Sequence, residues 1–246
     1  MDRNEILGIK VTSISLPELN HRVREWLADN RKRVILYSNI YGINLALKYN
    51  WMKEQYNRAD VVLCDGTGVL WASRILGRRI SERIALTDWG WILLKLIEEK
   101  GASIYFLGNT QDVIARSEER IKKIYPKLSI SGSHHGFFDI AGVENRKIIE
   151  SINSSGTDVL LVGMGMPKQE KWVADNQKEL NVKLIVTCGA FSNYLAGVQK
   201  RCPEWISRSG LEWLYRFIHE PVRLFGKYFP GNFVFFFRIF KSIFSK

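Results

Sequence analysis

The sequence predicts an α/β domain built on a parallel sheet, followed by a basic, aromatic, helical C-terminal appendage. Three observations carry this expectation. Short apolar runs alternate with amphipathic stretches from about residue 33 to residue 189. Several strand-like runs end on glycine or on an acidic residue followed by glycine. Near residue 200 the composition turns basic, and no acidic residue follows Pro221. A chain of 246 residues is long enough to bury a core, as one large domain or two small ones.

Taken in order, RVILYSN (33–39) reads as a strand and GINLALKYNWMKEQY (42–56) as a helix. ADVVLCD (59–65) is a strand, and GVLWASRILG (68–77) a helix closed by Gly77. DWGWILLKLIEEKG (88–101) is amphipathic and stops at Gly101. The pattern then becomes regular: SIYFLG strand, TQDVIARSEERIKKIY helix, LSISGS strand, VENRKIIESINSSG helix, DVLLVGMG strand, PKQEKWVADNQKEL helix and VKLIVTCG strand. Strands alternating with helices of this length imply parallel βαβ units. The expected division is an α/β body over 1–195 and an appendage over 196–246.

A net charge of +11, from 36 Lys and Arg against 25 Asp and Glu, suggests an anionic partner: nucleic acid, an anionic membrane or a phosphorylated substrate. Cys64, Cys188 and Cys202 are odd in number, far apart and without CxxC or Cys/His spacing. They suggest a reduced, cytosolic protein without structural zinc. The N-terminus lacks the apolar core of a signal peptide, and no run approaches the roughly 20 apolar residues that span a bilayer.

In open parallel sheets, ligands bind outside the carboxyl ends of the strands. Four loops fall at such ends: Asp65-Gly66-Thr67-Gly68, Gly108-Asn109-Thr110, Gly163 to Glu170 (GMGMPKQE) and Gly189-Ala190-Phe191. Glycines there let backbone amides approach a diphosphate. GMGMPKQE is neither a dinucleotide fingerprint, since Lys168 stands where glycine is needed, nor a P-loop. It also reads as a tight strand-to-helix turn with Pro167 in the first helical turn. Asp65 is either a turn former in an Asp-Gly pair or a strand-end carboxylate placed for chemistry. Asp88 has the look of a helix N-cap. His134 and His135 read as solvent-exposed loop residues without metal-spaced partners, and Gln169 and Glu170 as possible solvated first-turn residues. Arg216 and Arg223, seven apart, share a face if one helix carries both, and two guanidiniums suit a diphosphate. Pro221 is the condition on that reading. In GNFVFFFRIFKSIFSK (231–246), Phe233, Phe236, Phe237, Phe240 and Phe244 line one side and Arg238, Lys241, Ser242 and Ser245 the other, with Phe235 the exception. This is the pattern of an interfacial membrane helix; the alternative is a helix docked on its own domain or on another subunit.

The order DGTGV, SERIALTD, VGMGMPKQEKW and GAFSNYLAGVQKRCPEWISRSGLEWLYRFIHEPVR resembles the WecG/TagA/CpsF glycosyltransferases over nearly the whole chain. The resemblance implies a Rossmann-like α/β fold, parallel sheet with flanking helices (GT-E type), with a C-terminal appendage. It implies inverting transfer of an N-acetylmannosamine-like sugar from a UDP-sugar to a polyprenyl-diphosphate-linked saccharide at the cytoplasmic face of the membrane, in teichoic acid, capsule or exopolysaccharide synthesis. It places Asp65 as the catalytic base. Substrate-binding roles fall on Asn39, Gly66, Thr67, Gly68, Arg83, Asp88, Gly108, Asn109, Gly163, Gly165, Pro167, Lys168, Gln169, Glu170, Gly189, Asn193, Arg201, Arg216 and Arg223, with Lys227 standing in for a third appendage arginine. Ser192-Asn193 departs from the family's usual Phe-Asp, Leu86 from its glycine and Cys202 from its alanine.

Inverting transfer needs a base for the acceptor hydroxyl and stabilisation of the leaving UDP. The chain has no D-x-D, so the expectation is metal-free transfer without a cofactor, with Arg216, Arg223, Lys227, Lys168 and loop amides meeting the charge. A dinucleotide-dependent oxidoreductase would need the missing glycine fingerprint. A non-catalytic membrane module would leave Asp65 and GMGMPKQE without purpose. Nucleic acid is not an expected partner, since no RNA-binding motif appears. A homo-oligomer stays open, because the Phe face fits lipid or another subunit.

Overall fold

The computed structural model describes residues 1–203, 205–206 and 209–244, and the side chains of Arg223 and Lys227 lie outside the described residues. The chain starts with a hairpin that the hydrophobic pattern does not announce. β1 (Asp2–Ile6) pairs antiparallel with β2 (Ile9–Ser13) across a two-residue turn, Leu7 and Gly8, both at positive φ. α1 (Leu16–Ala28) follows, capped by the Ser15 hydroxyl, which accepts from the Glu18 amide.

β3 (Arg33–Ser38), β4 (Val61–Cys64), β5 (Ser103–Gly108), β6 (Ser129–His134), β7 (Val159–Gly163) and β8 (Leu184–Thr187) form one parallel sheet in the order β4-β3-β8-β7-β5-β6. This is the expected α/β architecture. Its central strands are buried on both faces, so they read as continuous apolar runs. Side chains alternate between two hydrophobic clusters. Leu36, Val62, Leu107 and Val162 face one side, and Ile35, Leu63, Phe106 and Leu161 the other.

The first side is covered by α2 (Ile40–Lys48), α3 (Asn50–Arg58), α4 (Thr67–Ile75), α7 (Val143–Ser154) and α8 (Lys168–Asn176). The second is covered by α1, α5 (Leu86–Glu99), α6 (Gln111–Ile124) and α9 (Phe191–Leu195).

Two expected elements change. The helix over 42–56 is broken at Tyr49, which is extended (φ −116°, ψ 108°). The bend lets Ile43 and Ala46 of α2, and Met52 and Tyr56 of α3, meet the same cluster. Asp88 is not an N-cap: α5 starts at Leu86, because Ile84 donates its amide to the Cys64 carbonyl and Ala85 takes the cap position.

The C-terminal region holds α10 (Glu212–His219) and α11 (Pro221–Phe244). Glu220, at φ −139° and ψ 56°, ends α10, and Pro221 opens α11 where a missing N–H costs nothing. Arg216 and Arg223 therefore stand on different helices, and the single-face reading fails. α11 docks on α2 and α4. Phe235 and Ile239 are both 0 % exposed and belong to the hydrophobic cluster of the first sheet face. The Asn44 amide donates to the Gly231 carbonyl at 2.8 Å, and its oxygen accepts from Arg238. Phe235, the exception in the sequence pattern, is thus the anchor, and Phe236 turns partly inward. The outward stripe is longer than expected: Val222, Phe225, Phe229, Phe233, Phe237, Phe240 and Phe244 are all exposed at helical spacing. Among the described residues, no helix is long and apolar enough to cross a membrane.

Candidate functional site

The carboxyl ends of the strands form a row of loops. In sheet order it runs from Asp65 after β4, through Asn39 after β3, Gly189 after β8, Gly163–Gly165 after β7 and Gly108–Asn109 after β5, to His134–His135 at β6. Strand spacing of about 4.8 Å puts the Asp65 and Gly163 ends roughly 14 Å apart.

At the β4 end, the Asp65 and Gly66 amides both donate to the Ser38 carbonyl, which turns the chain off the strand. Asn39 caps α2, its oxygen accepting from the Gly42 amide, and its side chain also hydrogen-bonds the Asp65 carboxylate. Arg83 donates to the Asp65 carbonyl at 3.3 Å and pairs with Glu212 of α10 at 3.2 Å. It also lies 3.8 Å from Asp88, which contacts Arg201. Asp65, Asn39, Arg83, Asp88, Arg201 and Arg216 are therefore one polar cluster, joined by Glu212, which the motif reading passes over. The available signal was its place one helical turn before Arg216.

The electrostatics single out Asp65. Its carboxyl keeps an opening to solvent but is densely enclosed. Burial first, and then the Glu212 charge, push its pKa up to about 6, against Arg83, Arg216 and the Asn39 hydrogen bond. Burial works against the Arg216 charge, but Tyr228, Tyr194, Asp65 and Glu212 hold its pKa above the ordinary value. The Arg216 Nε is buried without a hydrogen-bond partner, a donor suited to an anion. Cys64 is buried and Cys188 part-buried, and enclosure pushes both thiols up to about 12, which leaves them protonated and weakly reactive at neutral pH.

The glycines act differently from the expectation. A Cβ on Gly66 would sit 3.1 Å from Asn39 Cβ, and one on Gly68 2.4 Å from Ile40 Cδ1, so both serve the approach of α4 to α2. Thr67 opens α4 and lies against Gly210 of the appendage. Gly108, at φ +145°, would drive a Cβ to 2.3 Å from the Gly163 carbonyl. A Cβ on Gly163 itself would meet the Cys188 sulfur at 2.8 Å.

Gly165 and Gly189 face open space, but both donate their amides to the Gln169 Oε1, at 3.2 and 3.1 Å. These loop amides are thus held by Gln169 rather than turned to a diphosphate. Gln169 and Glu170 are 2 % and 0 % exposed, which overturns the solvated reading. Gln169 Nε2 donates to Glu170 Oε1 at 2.8 Å, fixing the amide so that its oxygen meets both loops. Burial pushes the Glu170 carboxyl up to about 7, against the Gln169 hydrogen bond.

Pro167 precedes α8 as its cap residue, after a cis peptide bond. The Lys168 ammonium is engaged by the loop between β6 and α7. It donates to the Gly136 and Phe138 carbonyls at 2.8 and 2.9 Å. Asn109 (φ +60°) donates to Ser192 and Asn193, at 2.9 and 2.7 Å, which ties the β5 loop to α9. The expected roles of Arg223 and Lys227 rest on side chains outside the described residues.

His134 and His135 also differ from the expectation. Both are part-buried, and Glu144 of α7 lies beside them.

A family model described as "Glycosyl transferase WecG/TagA/CpsF family" matches residues 4–246. Among similar proteins is an N-acetylglucosaminyldiphosphoundecaprenol N-acetyl-beta-D-mannosaminyltransferase of Staphylococcus aureus strain MW2. It is 26% identical over 222 residues, 89% of this chain and 86% of the relative. The protein of the same description from strain MRSA252 is 27% identical over 214 residues, 86% of this chain and 83% of the relative.

Proposed function

The chain belongs to the WecG/TagA/CpsF family of glycosyl transferases, and from that premise we propose that Asp65 is the base of an inverting, metal-independent transfer of an N-acetylmannosamine-like or related hexose. The donor is a UDP-sugar and the acceptor a polyprenyl-diphosphate-linked saccharide, in the synthesis of a cell-surface polysaccharide. The relatives' names point to acceptor and sugar class. The observation that carries the reading is the Asp65 carboxyl: enclosed at a strand end, with an upshifted pKa, beside Arg216 and its unpartnered Nε.

An ordinary carboxylate near 4 is a weak base for a hydroxyl. At about 6 it stays ionised at neutral pH yet takes a proton more readily. As the acceptor oxygen attacks the anomeric carbon, Asp65 takes the hydroxyl proton and the bond to UDP breaks. Negative charge then grows on the diphosphate, and Arg216, held charged beside Asp65, supplies the counter-charge. Asn39 aims the carboxylate. Arg83, paired with Glu212, holds α10 over the site. Gln169 and Glu170 shape the far wall by fixing the Gly165 and Gly189 loops. The exposed aromatic stripe of α11, on a helix without acidic residues, holds the enzyme peripherally at the inner face of the plasma membrane, where a lipid-linked acceptor lies.

The test is turnover with a short-chain polyprenyl-diphosphate-GlcNAc and a panel of UDP-sugars in EDTA, with wild type against Asp65→Asn. Transfer survives EDTA and falls about 10²–10⁴-fold in the variant, the usual worth of a general base. Undiminished transfer by the variant, or a need for added divalent ion, overturns the proposal.

A further inference from the structure

We propose that the far end of the strand-end row is a zinc-class cation site formed by His134, His135 and Glu144. One ring nitrogen of each histidine and one carboxylate oxygen of Glu144 lie within 4.8 Å of one another. Zinc with ligands at about 2.0–2.2 Å holds them roughly 3.3–3.5 Å apart, so side-chain rotations of about 1 Å close the cluster.

The hydrogen bonding points the same way. His134 Nδ1 lies 2.8 Å from the His135 carbonyl oxygen. A carbonyl only accepts, so Nδ1 carries the hydrogen and Nε2 the lone pair. That Nε2 faces Glu144 Oε1, a second acceptor, at 3.6 Å. Two acceptors turned to each other leave a place for a cation between them, a proton or a metal ion. A proton would satisfy this pair but not His135, whose Nδ1 is buried without a hydrogen-bond partner. A metal ion takes all three. The bond from His134 Nδ1–H to a backbone carbonyl is the second-shell contact that orients metal-ligating histidines.

The His134 ring is also packed edge-on to Phe138, with centroids 5.6 Å apart. An open cavity of about 440 Å³, lined by His134, Val143, Glu144, Lys147, Ile148 and Ser151, lies against two of the three residues, His134 and Glu144. Two imidazoles and one carboxylate suit zinc, with cobalt(II) as a spectroscopic surrogate.

Its place gives the cation a structural role. It joins the end of β6 to the first turn of α7. The loop between them carries the Gly136 and Phe138 carbonyls that receive Lys168, the first residue of α8. Five strand steps, roughly 24 Å, separate the β6 end from the Asp65 end, so the cation steadies the loop and takes no part in bond-making. The site does not depend on the transferase reading.

The experiment is cobalt(II) titration of the full-length, chelator-stripped chain, read by visible ligand-field bands, with displacement by zinc. Wild type takes up one equivalent and shows the bands. His135→Ala and Glu144→Gln lower the affinity by at least ~10-fold, and His21→Ala, at an exposed side chain of α1, does not. Glu144 is exposed, so its glutamine variant reports even where a histidine variant folds poorly; circular dichroism checks each. No saturable cobalt binding by folded wild type, or undiminished binding in both His135→Ala and Glu144→Gln, overturns the proposal.

Discussion

Replacing Asp65 with asparagine is expected to raise stability while it destroys activity. The side chain keeps its shape and its bond to Asn39, and only the charge goes. In the folded chain the carboxyl ionises at about 6 rather than 3.8. A folded-state pKa raised in this way favours the protonated form. Its contribution is fully present below about pH 3.8 and is lost as pH rises through about 6. Above that point wild type carries an ionisation cost of roughly 3 kcal/mol, at 1.36 kcal/mol per pKa unit, which asparagine never incurs. Urea denaturation of both proteins across about pH 4 to 8 measures the difference directly. The stability gap in favour of Asp65→Asn should open between about pH 4 and 6 and then stay flat. Activity of wild type should rise tenfold per pH unit up to about 6 and level off. A variant no more stable than wild type at neutral pH, or a gap that does not change with pH, would refute the electrostatic account of Asp65.

Gln169→Ala leaves the part-buried Gly165 and Gly189 amides and the buried Glu170 carboxylate without their shared partner; at about 1–3 kcal/mol for one orphaned buried group, thermal unfolding should show a loss of about that size, and transfer should fall with it. On α11, Phe235→Ala empties a fully buried site and costs about 3–5 kcal/mol in denaturant unfolding, whereas Phe237→Ala, 69 % exposed, leaves stability within about 0.5 kcal/mol and weakens co-sedimentation with anionic vesicles. Equal effects of the two on stability would contradict the two-faced reading of that helix.

The sequence by itself determined the alternation of strands and helices, the parallel sheet, the four strand-end loops and the amphipathic character of the last helix. Each of these is written in local spacing: apolar runs for strands buried on both sides, three-to-four periodicity for helices, glycine where backbones must cross. The family resemblance pointed further, to Asp65 and the arginines. Local spacing is silent on which distant segments meet, and there the tertiary structure decided. Gln169 and Glu170 look like solvated first-turn residues until the turn is seen pressed between the β7 and β8 loops. Phe235 breaks its sequence pattern because the pattern describes one face, while the helix has a second face docked on α2 and α4. Glu212 meets Arg83 only once the appendage folds back over β4, and close enclosure first, with the Glu212 charge second, lifts the Asp65 pKa. Glu144 reaches His134 and His135 across a loop whose path no periodicity encodes. The elements follow from short-range sterics and hydrophobic patterning, whereas the site's charges take their values from neighbours up to 151 positions away in the chain, as Arg216 is from Asp65.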